Sequence, residues 1–380
     1  MNKAGLYLGL ISGTSMDAID AVAARIDDDR PQLTAAHSHP WPAALRRRLL
    51  AAAQAPETLS LSALYEVQHQ VTLLFATAAR TLLSGARLEP AAVAAVGFHG
   101  QTLCHFPEAE PPWTLQLGEP AKLAVELGLP VVGDLRSADL AAGGQGAPLA
   151  PLLHRALFAL PGRRRGVLNL GGIANLTVID AAGATIGFDI GPANALLDAW
   201  CQKQTGEAFD RDGRLAAGGR VLPELLAALL AEPYFARPPP KSTGRETYHL
   251  GWLAQRGGDL ERYSPADVQA TLLALTIETT AAAARAAALD ELLVCGGGVH
   301  NPLLMQALGA RLAPRPVYST ARAGLDPDWV EGLLIAWLAW RRLARRPSST
   351  PPITGAHAPQ ILGGLWYPPE RAARGQPAAD

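Results

Sequence analysis

The 380-residue sequence predicts an α/β chain built from two related halves, and three observations carry that reading. At roughly 100–200 residues per domain, the length predicts two or three domains. The chain opens in the same way twice, near residue 6 and near residue 166, with a strand, a glycine turn and two further strands. After each opening, helix-period apolar patterns alternate with short apolar strands.

The first opening reads LYLGLISGTSMDAIDAVAARIDDDRPQLTA over residues 6–35. An apolar strand runs into the turn Ser12–Ser15, a second strand covers Ala18–Ile26, and a third follows the acidic turn. A helical pattern spans Ser62–Leu83, then come strands over Val93–Phe98, Trp113–Leu117 and Pro130–Leu135, with a helix over Glu119–Leu127. The second opening places strands over Val167–Leu170, Ala174–Ile179 and Ala184–Ile190, with the turn Gly171–Gly172 between the first two. Period-2 alternation and turn residues support both meanders. Helices are expected over Asn194–Thr205, Val221–Glu232, Ala266–Ala288, Asn301–Leu312 and Glu331–Leu343, and a strand over Glu291–Cys295. Arg345–Thr354 reads as a loop or linker, and Pro368–Asp380 as a frayed tail rich in Pro, Ala and Arg.

Composition narrows the function class. With 49% hydrophobic and 18% charged residues, the bulk of the chain is not intrinsically disordered. The net charge of −1 gives no global drive toward nucleic acid or an anionic membrane, so neither is an expected partner. Only four of the 33 basic residues are lysines (Lys3, Lys122, Lys203, Lys241), which leaves no obvious P-loop lysine. Cys104, Cys201 and Cys295 lack CxxC spacing and read as small core residues in a reducing compartment. The stretch Thr271–Leu289 carries Glu278 and Arg285 and is too polar to span a bilayer. Lys3 followed by the apolar run Ala4–Ile11 imitates an export signal, but the run continues into SGTSMDAID and reads better as a first strand. The expectation is a soluble, cytoplasmic protein.

A strand–glycine–strand turn presents backbone N–H groups with no side chains in the way, which is a nest for phosphate. For any one of them taken singly, an ordinary hairpin turn is the favoured explanation. Two such turns heading two similar halves, with Gly296-Gly297-Gly298 after a later strand, point to a nucleotide. GxxxxGK[ST] does not occur, and GGGVHN lacks the dinucleotide-binding spacing.

The motifs GTSMDAID, GFHGQT, GEPAKLA, DLRSADLAAGGQGAPLAP, LNLGGIANLT, GFDIGPANALLDAW, FARPPPKSTGRE, VCGGGVHN and DPDWVEGLLIAWLA occur in this order. Together they resemble the anhydro-N-acetylmuramic acid kinases from about Gly9 to Gly364. The resemblance implies the fold of actin, hexokinase and the seventy-kilodalton heat-shock proteins: a two-domain actin-like ATPase with duplicated mixed sheets, flanking helices and an interdomain cleft. The domains would be 1–138 with a C-terminal segment at about 350–370, and 139–349, leaving 371–380 as tail. It also implies an ATP- and Mg²⁺-dependent enzyme of peptidoglycan recycling, acting as a homodimer. That enzyme would open the 1,6-anhydro sugar with water and phosphorylate O6.

By the same resemblance, Asp189 matches the catalytic base, although a turn-capping role suits it equally on sequence alone. Gly13, Thr14, Ser15 and Asp17 match the first phosphate hairpin. Asp17 or Asp20 would organise a hydrated Mg²⁺ through water, with Asp20, mid-strand, better explained as a structural residue. Asn169, Gly171, Gly172 and Asn175 match the second nest, and Gly296, Gly297 and Gly298 the nucleoside contact. His99 and Gln101 match a sugar-side loop. Arg136 suits the lactyl carboxylate through a bidentate fork, or else a salt bridge to Asp134 or Asp139. Glu331 matches a sugar-side glutamate, or is simply a favourable charge at a helix N-terminus. The loop Lys241–Glu246 matches the family without a role for any atom.

Three positions depart from the family pattern. Ala18 replaces Gly, Ile190 replaces a Thr beside the expected base, and Ala193 replaces a Gly, with backbone strain expected if its φ is positive. The alternatives are a simple kinase of another sugar or carboxylate, or a nucleotide-dependent assembly or chaperone protein on the same fold.

Overall fold

A computed structural model describes residues 4–13, 16–244 and 247–370. The strands are β1 (Gly5–Ser12), β2 (Ala18–Asp27), β3 (Arg30–Pro40), β4 (Val93–Phe106), β5 (Trp113–Leu117), β6 (Val131–Gly133), β7 (Arg165–Leu170), β8 (Ile173–Ile179), β9 (Thr185–Pro192), β10 (Glu291–Cys295), β11 (Val317–Ser319) and β12 (Gly364–Trp366). In the first half the helices are α1 (Ala43–Gln54), α2 (Leu61–Gly85), α3 (Pro120–Leu127), α4 (Ser137–Ala141) and α5 (Pro151–Phe158). Then come α6 (Asn194–Thr205), α7 (Arg214–Ala217), α8 (Pro223–Leu230), α9 (Leu250–Gly257), α10 (Pro265–Ala286), α11 (Pro302–Leu312), α12 (Val330–Leu343) and α13 (Pro351–Thr354).

The strands form two sheets of one plan. In the first, the order is β12-β6-β4-β1-β2-β3, with β5 paired to β4. In the second it is β11-β10-β7-β8-β9. Each sheet begins as an antiparallel three-strand meander and continues with parallel strands on the other side of its first strand. This repeated 3-2-1-4-5 order is the duplicated actin-like topology expected above.

The chain divides into two compact units: Met1–Ala138 with Ile335–Arg346 and Ile361–Asp380, and Asp139–Leu334 with Pro347–Gln360. The C-terminal segment therefore splits differently from the expected 350–370. Residues 347–360 belong to the second unit, where Thr354 Oγ1 donates to Asp139 Oδ1 at 2.7 Å and His357 N–H to the Ala142 carbonyl at 2.8 Å. Residues 364–366 belong to the first unit because β12 pairs antiparallel with β6.

Local chemistry explains the elements. Ser60 caps α2 by accepting the Ala63 N–H, and its stripe Val67, Val71, Phe75, Ala79 and Leu82 is buried. In the first core, Trp41, Phe75 and Phe98 meet edge to face with centroids 6.1 and 5.1 Å apart. Trp41 Nε1 also donates to buried Ser12 Oγ at 3.2 Å, which ties this core to the end of β1. In the second unit, Ser264 caps α10, whose buried face joins Leu168, Leu176 and Phe188 of the sheet.

Two expectations need correction. The strand expected over Val93–Phe98 continues to Phe106, so His99 and Gln101 stand in a strand rather than a loop. Its irregularity is a bulge: Leu10 pairs with Phe98 and Ile11 with Gly100, leaving His99 as the extra residue. Gly100 takes φ +75, which a side chain would resist. The segment Arg345–Thr354 ends in the short helix α13 rather than being loop throughout. Ala193 has φ −117, so the positive φ on which strain was made conditional does not occur.

Candidate active site

In the first unit, the turn after β1 is held through its carbonyls. Met16 N–H and Gln101 Nε2 both donate to the Gly13 carbonyl, at 3.0 and 3.3 Å. Arg46 Nε donates to the Met16 carbonyl at 2.7 Å, and its guanidinium pairs with Asp17 at 3.2 Å. The Asp17 side chain is 69% exposed, so this pair is a weak surface contact. Asp20 accepts from Ser38 Oγ at 3.0 Å, within the β2–β3 ladder. Thr14 and Ser15 lie outside the described residues.

Gln101 is fully buried, and its Oε1 has no hydrogen-bond partner among the described residues. The bulge residue His99 is also buried. Arg136 donates to its Nε2 from Nε at 3.2 Å and from Nη2 at 2.9 Å, while Nδ1 faces the Gly100 carbonyl at 3.2 Å. Burial, helped by the Arg136 charge, pulls the His99 pKa down to about 3. The imidazole is therefore neutral: Nδ1–H donates and Nε2 accepts. Of the two carboxylates weighed as partners of Arg136, Asp134 accepts the Ser137 N–H, and Asp139 accepts from Thr354 and the Gly146 N–H.

In the second unit, Asp189 lies on β9 opposite Asn175 of β8. Here too a bulge intervenes: Ala174 pairs with Gly191 and Asn175 with Asp189, so Ile190 is the extra residue. Two donors meet the carboxylate at Oδ2, the Ser242 hydroxyl at 3.2 Å and the Thr243 N–H at 3.0 Å. The loop without an assigned atom thus supplies the groups that orient Asp189. Sequence reasoning missed them because they sit more than fifty positions away; only their place in a matched motif signalled them. Arg245 and Glu246 of that loop lie outside the described residues.

Asn169, the glycine run and Glu331 come together in the same unit. Asn169 Nδ2 donates to Glu331 Oε1 at 3.0 Å. A Cβ on Gly296, which has φ +79, would overlap Asn169 Oδ1 and stand 3.1 Å from the Leu170 carbonyl. One on Gly298 would stand 2.6 Å from Leu170 Cβ. Burial pushes the adjacent Cys295 thiol well up, with the Glu331 charge adding to it. Gly171 and Gly172 carbonyls accept the N–H groups of Asn194 and Ala193, both at 3.0 Å, which fixes the second glycine turn on the start of α6. Among the described residues, no cluster of three or more His, Cys, Asp or Glu side chains could hold a metal ion. Nor is any helix among them long and apolar enough to cross a membrane.

Comparison with known proteins gives one consistent answer. The family model for anhydro-N-acetylmuramic acid kinase matches residues 5–368. The anhydro-N-acetylmuramic acid kinase of Xanthomonas axonopodis pv. citri (strain 306) is 50% identical over 366 residues, covering 95% of this chain and 98% of its own. That of Bordetella pertussis (strain Tohama I) is 51% identical over 367 residues, covering 95% and 96%. Likeness to solved structures is distant. Component A of the (R)-2-hydroxyglutaryl-CoA dehydratase of Acidaminococcus fermentans gives a TM-score of 0.46 at 12% identity, covering 90% of this chain and all of that one. The fold rests on the strand order instead.

Proposed function

The chain belongs to the anhydro-N-acetylmuramic acid kinase family, and from that premise we propose that Asp189 is the general base of an ATP-dependent hydrolytic kinase. The substrate is 1,6-anhydro-N-acetylmuramic acid. Water attacks C1 and gives its proton to the Asp189 carboxylate. The C1–O6 bond breaks, and O6 takes the electron pair and attacks the γ-phosphorus as ADP leaves. The products are N-acetylmuramic acid 6-phosphate and ADP. No second carboxylate is needed to protonate O6, because the phosphoryl group quenches it. The enzyme serves peptidoglycan recycling in the cytoplasm as a homodimer.

The observation that carries this reading is the Asp189 carboxylate oriented by the Ser242 hydroxyl and the Thr243 N–H at 3.2 and 3.0 Å. A turn-capping aspartate would bond its own local backbone; this one takes donors from a remote loop. Arg136, set by neutral His99, suits the lactyl carboxylate, and Gln101 Oε1 is an acceptor suited to a sugar N–H or hydroxyl. The glycine turns with Gly13, Gly171 and Gly172 take the phosphates, and Gly296–Gly298 the nucleoside. Mg²⁺ accepts one or two protein carboxylates and keeps its waters, so the weakly paired Asp17 fits a water-mediated role. When bound, the ion neutralises charge on the phosphates.

Turnover in ¹⁸O-water with ATP and the anhydro-sugar tests the reading. Label is expected at C1 of the product. Label absent from C1 removes the hydrolytic step and favours a simple kinase. Asp189→Asn is expected to lose about 10²–10⁴-fold in kcat, the range of general base catalysis. Full activity in that variant removes Asp189 as the base.

A further inference from the structure

Behind Asp189 lies a buried lysine for which the proposed chemistry has no use. The Lys241 side chain is only 9% exposed, among groups that a methionine of similar volume would fill at less cost. Its ammonium donates to the carbonyls of Tyr234 and Phe235, each at 3.2 Å, and stands 4.7 Å from the centre of the Tyr234 ring. The Tyr234 hydroxyl donates to the Asp189 carbonyl at 3.0 Å, and the Asp189 N–H donates to the Lys241 carbonyl at 3.1 Å. The next two residues, Ser242 and Thr243, hold the Asp189 side chain. The backbone N–H, the backbone carbonyl and the carboxylate of Asp189 are thus all tied to one segment, 234–243. Lys241 is the stitch that closes this segment on itself.

We propose that Lys241 is a positioning residue for Asp189: its ammonium closes the 234–243 segment that holds the carboxylate and adds positive charge to its surroundings. The proposal rests on Asp189 being the base. Burial lowers the proton affinity of Lys241, and the charge of Asp189 partly restores it, so the two groups sense each other. Among the described residues, the groups placed around this pair are two phenols, a guanidinium and an amide. Burial pushes the phenols of Tyr234 and Tyr248 well up, the Arg237 guanidinium acts on Lys241 through its charge, and Asn175 opposite Asp189 on β8 carries no charge. The acid limb of the rate profile therefore reports on Asp189 under the influence of Lys241.

The test compares pH profiles of kcat and kcat/KM from pH 5 to 9 for the full chain, Lys241→Met, Lys241→Gln and Lys241→Arg, with ATP and the anhydro-sugar. Lys241→Gln keeps a donor for the two carbonyls without the charge, so it reports even if Lys241→Met fails to fold. The neutral variants are expected to lose about tenfold or more in kcat, with the acid limb raised by about one pH unit and KM for ATP within twofold of wild type. Lys241→Arg is expected to restore the limb. A folded neutral variant with the wild-type limb and kcat overturns the proposal, as does an arginine variant whose limb moves as far as that of the glutamine variant. Asp189→Asn, run alongside, separates the two claims. If it stays active, the base assignment fails. If it is inactive while Lys241→Gln behaves as wild type, only the role of Lys241 fails.

Discussion

Lowering the pH from 7 to 5 is expected to destabilise the second unit by about 2 kcal/mol through His154 alone. The side chain is 1% exposed, and its Nδ1 lies 2.8 Å from Thr177 Oγ1. Burial pulls its pKa from the ordinary 6.5 down to about 3. Between those values the unfolded chain binds a proton that the folded chain refuses, so stability falls as the pH falls from about 6.5 towards 3. At pH 5 the unfolded state gains RT ln(1 + 10^1.5), about 2 kcal/mol, against about 0.2 kcal/mol at pH 7. The replacement His154→Asn keeps an amide where Nδ1 stands and removes the titration. It leaves some empty volume, but that loss does not depend on pH. Urea unfolding of wild type and variant at pH 7, 6 and 5 gives the double difference. A gap that closes by about 2 kcal/mol at pH 5 is expected; two curves falling in parallel would refute the reasoning. Most carboxylates titrate below this window, and His99 is common to both proteins.

Three further outcomes follow from contacts described above. Gly97→Ala on β4 is expected to cost about 1–3 kcal/mol by chemical denaturation, because its Cβ would overlap the Ile335 carbonyl oxygen and stand 2.8 Å from the carbonyl carbon. Thr354→Val keeps the shape but removes the 2.7 Å hydroxyl donor from the fully buried Asp139, and unfolding midpoints are expected to report a loss of about 1.5–3 kcal/mol. Arg136→Lys replaces a fork that reaches His99 Nε2 from two nitrogens, so KM for the anhydro-sugar is expected to rise about 10–100-fold. In that variant KM for ATP should hold.

What was legible in the sequence was local. Both meanders could be read because alternation and glycine turns act within a few residues, and β5, β10 and α6 end where their patterns end. The helix α1 was missed although Leu45, Leu49 and Ala52 give a short buried stripe; Pro42 at its start and three arginines within it obscured the period. The continuation of β4 past Phe98 was not legible, because it depends on Ile11 pairing with Gly100 and Gln101 pairing with Leu117 of β5. At the site, residue types were readable but partners were not. Asn169 and Glu331 were assigned to different ligands, and their 3.0 Å contact joins residues 162 positions apart.

One of the two bulges carries a departure from the family pattern, Ile190. A bulge turns one extra residue out of the ladder and re-aims its neighbours. On β4 the extra residue is His99, which is set against Arg136; on β9 it is Ile190, immediately after Asp189. Ile190 is 3% exposed and packs in the second core with Phe188 and Leu196. A threonine hydroxyl at that position would have to find a partner or bear the cost of burial, whereas isoleucine fills the space with apolar surface. Ala193, at φ −117, precedes α6 with its N–H on the Gly172 carbonyl. Both side chains are buried in the second core. The carboxylate of Asp189 has donors in Ser242 and Thr243, and no atom of Ile190 or Ala193 takes part in those two contacts.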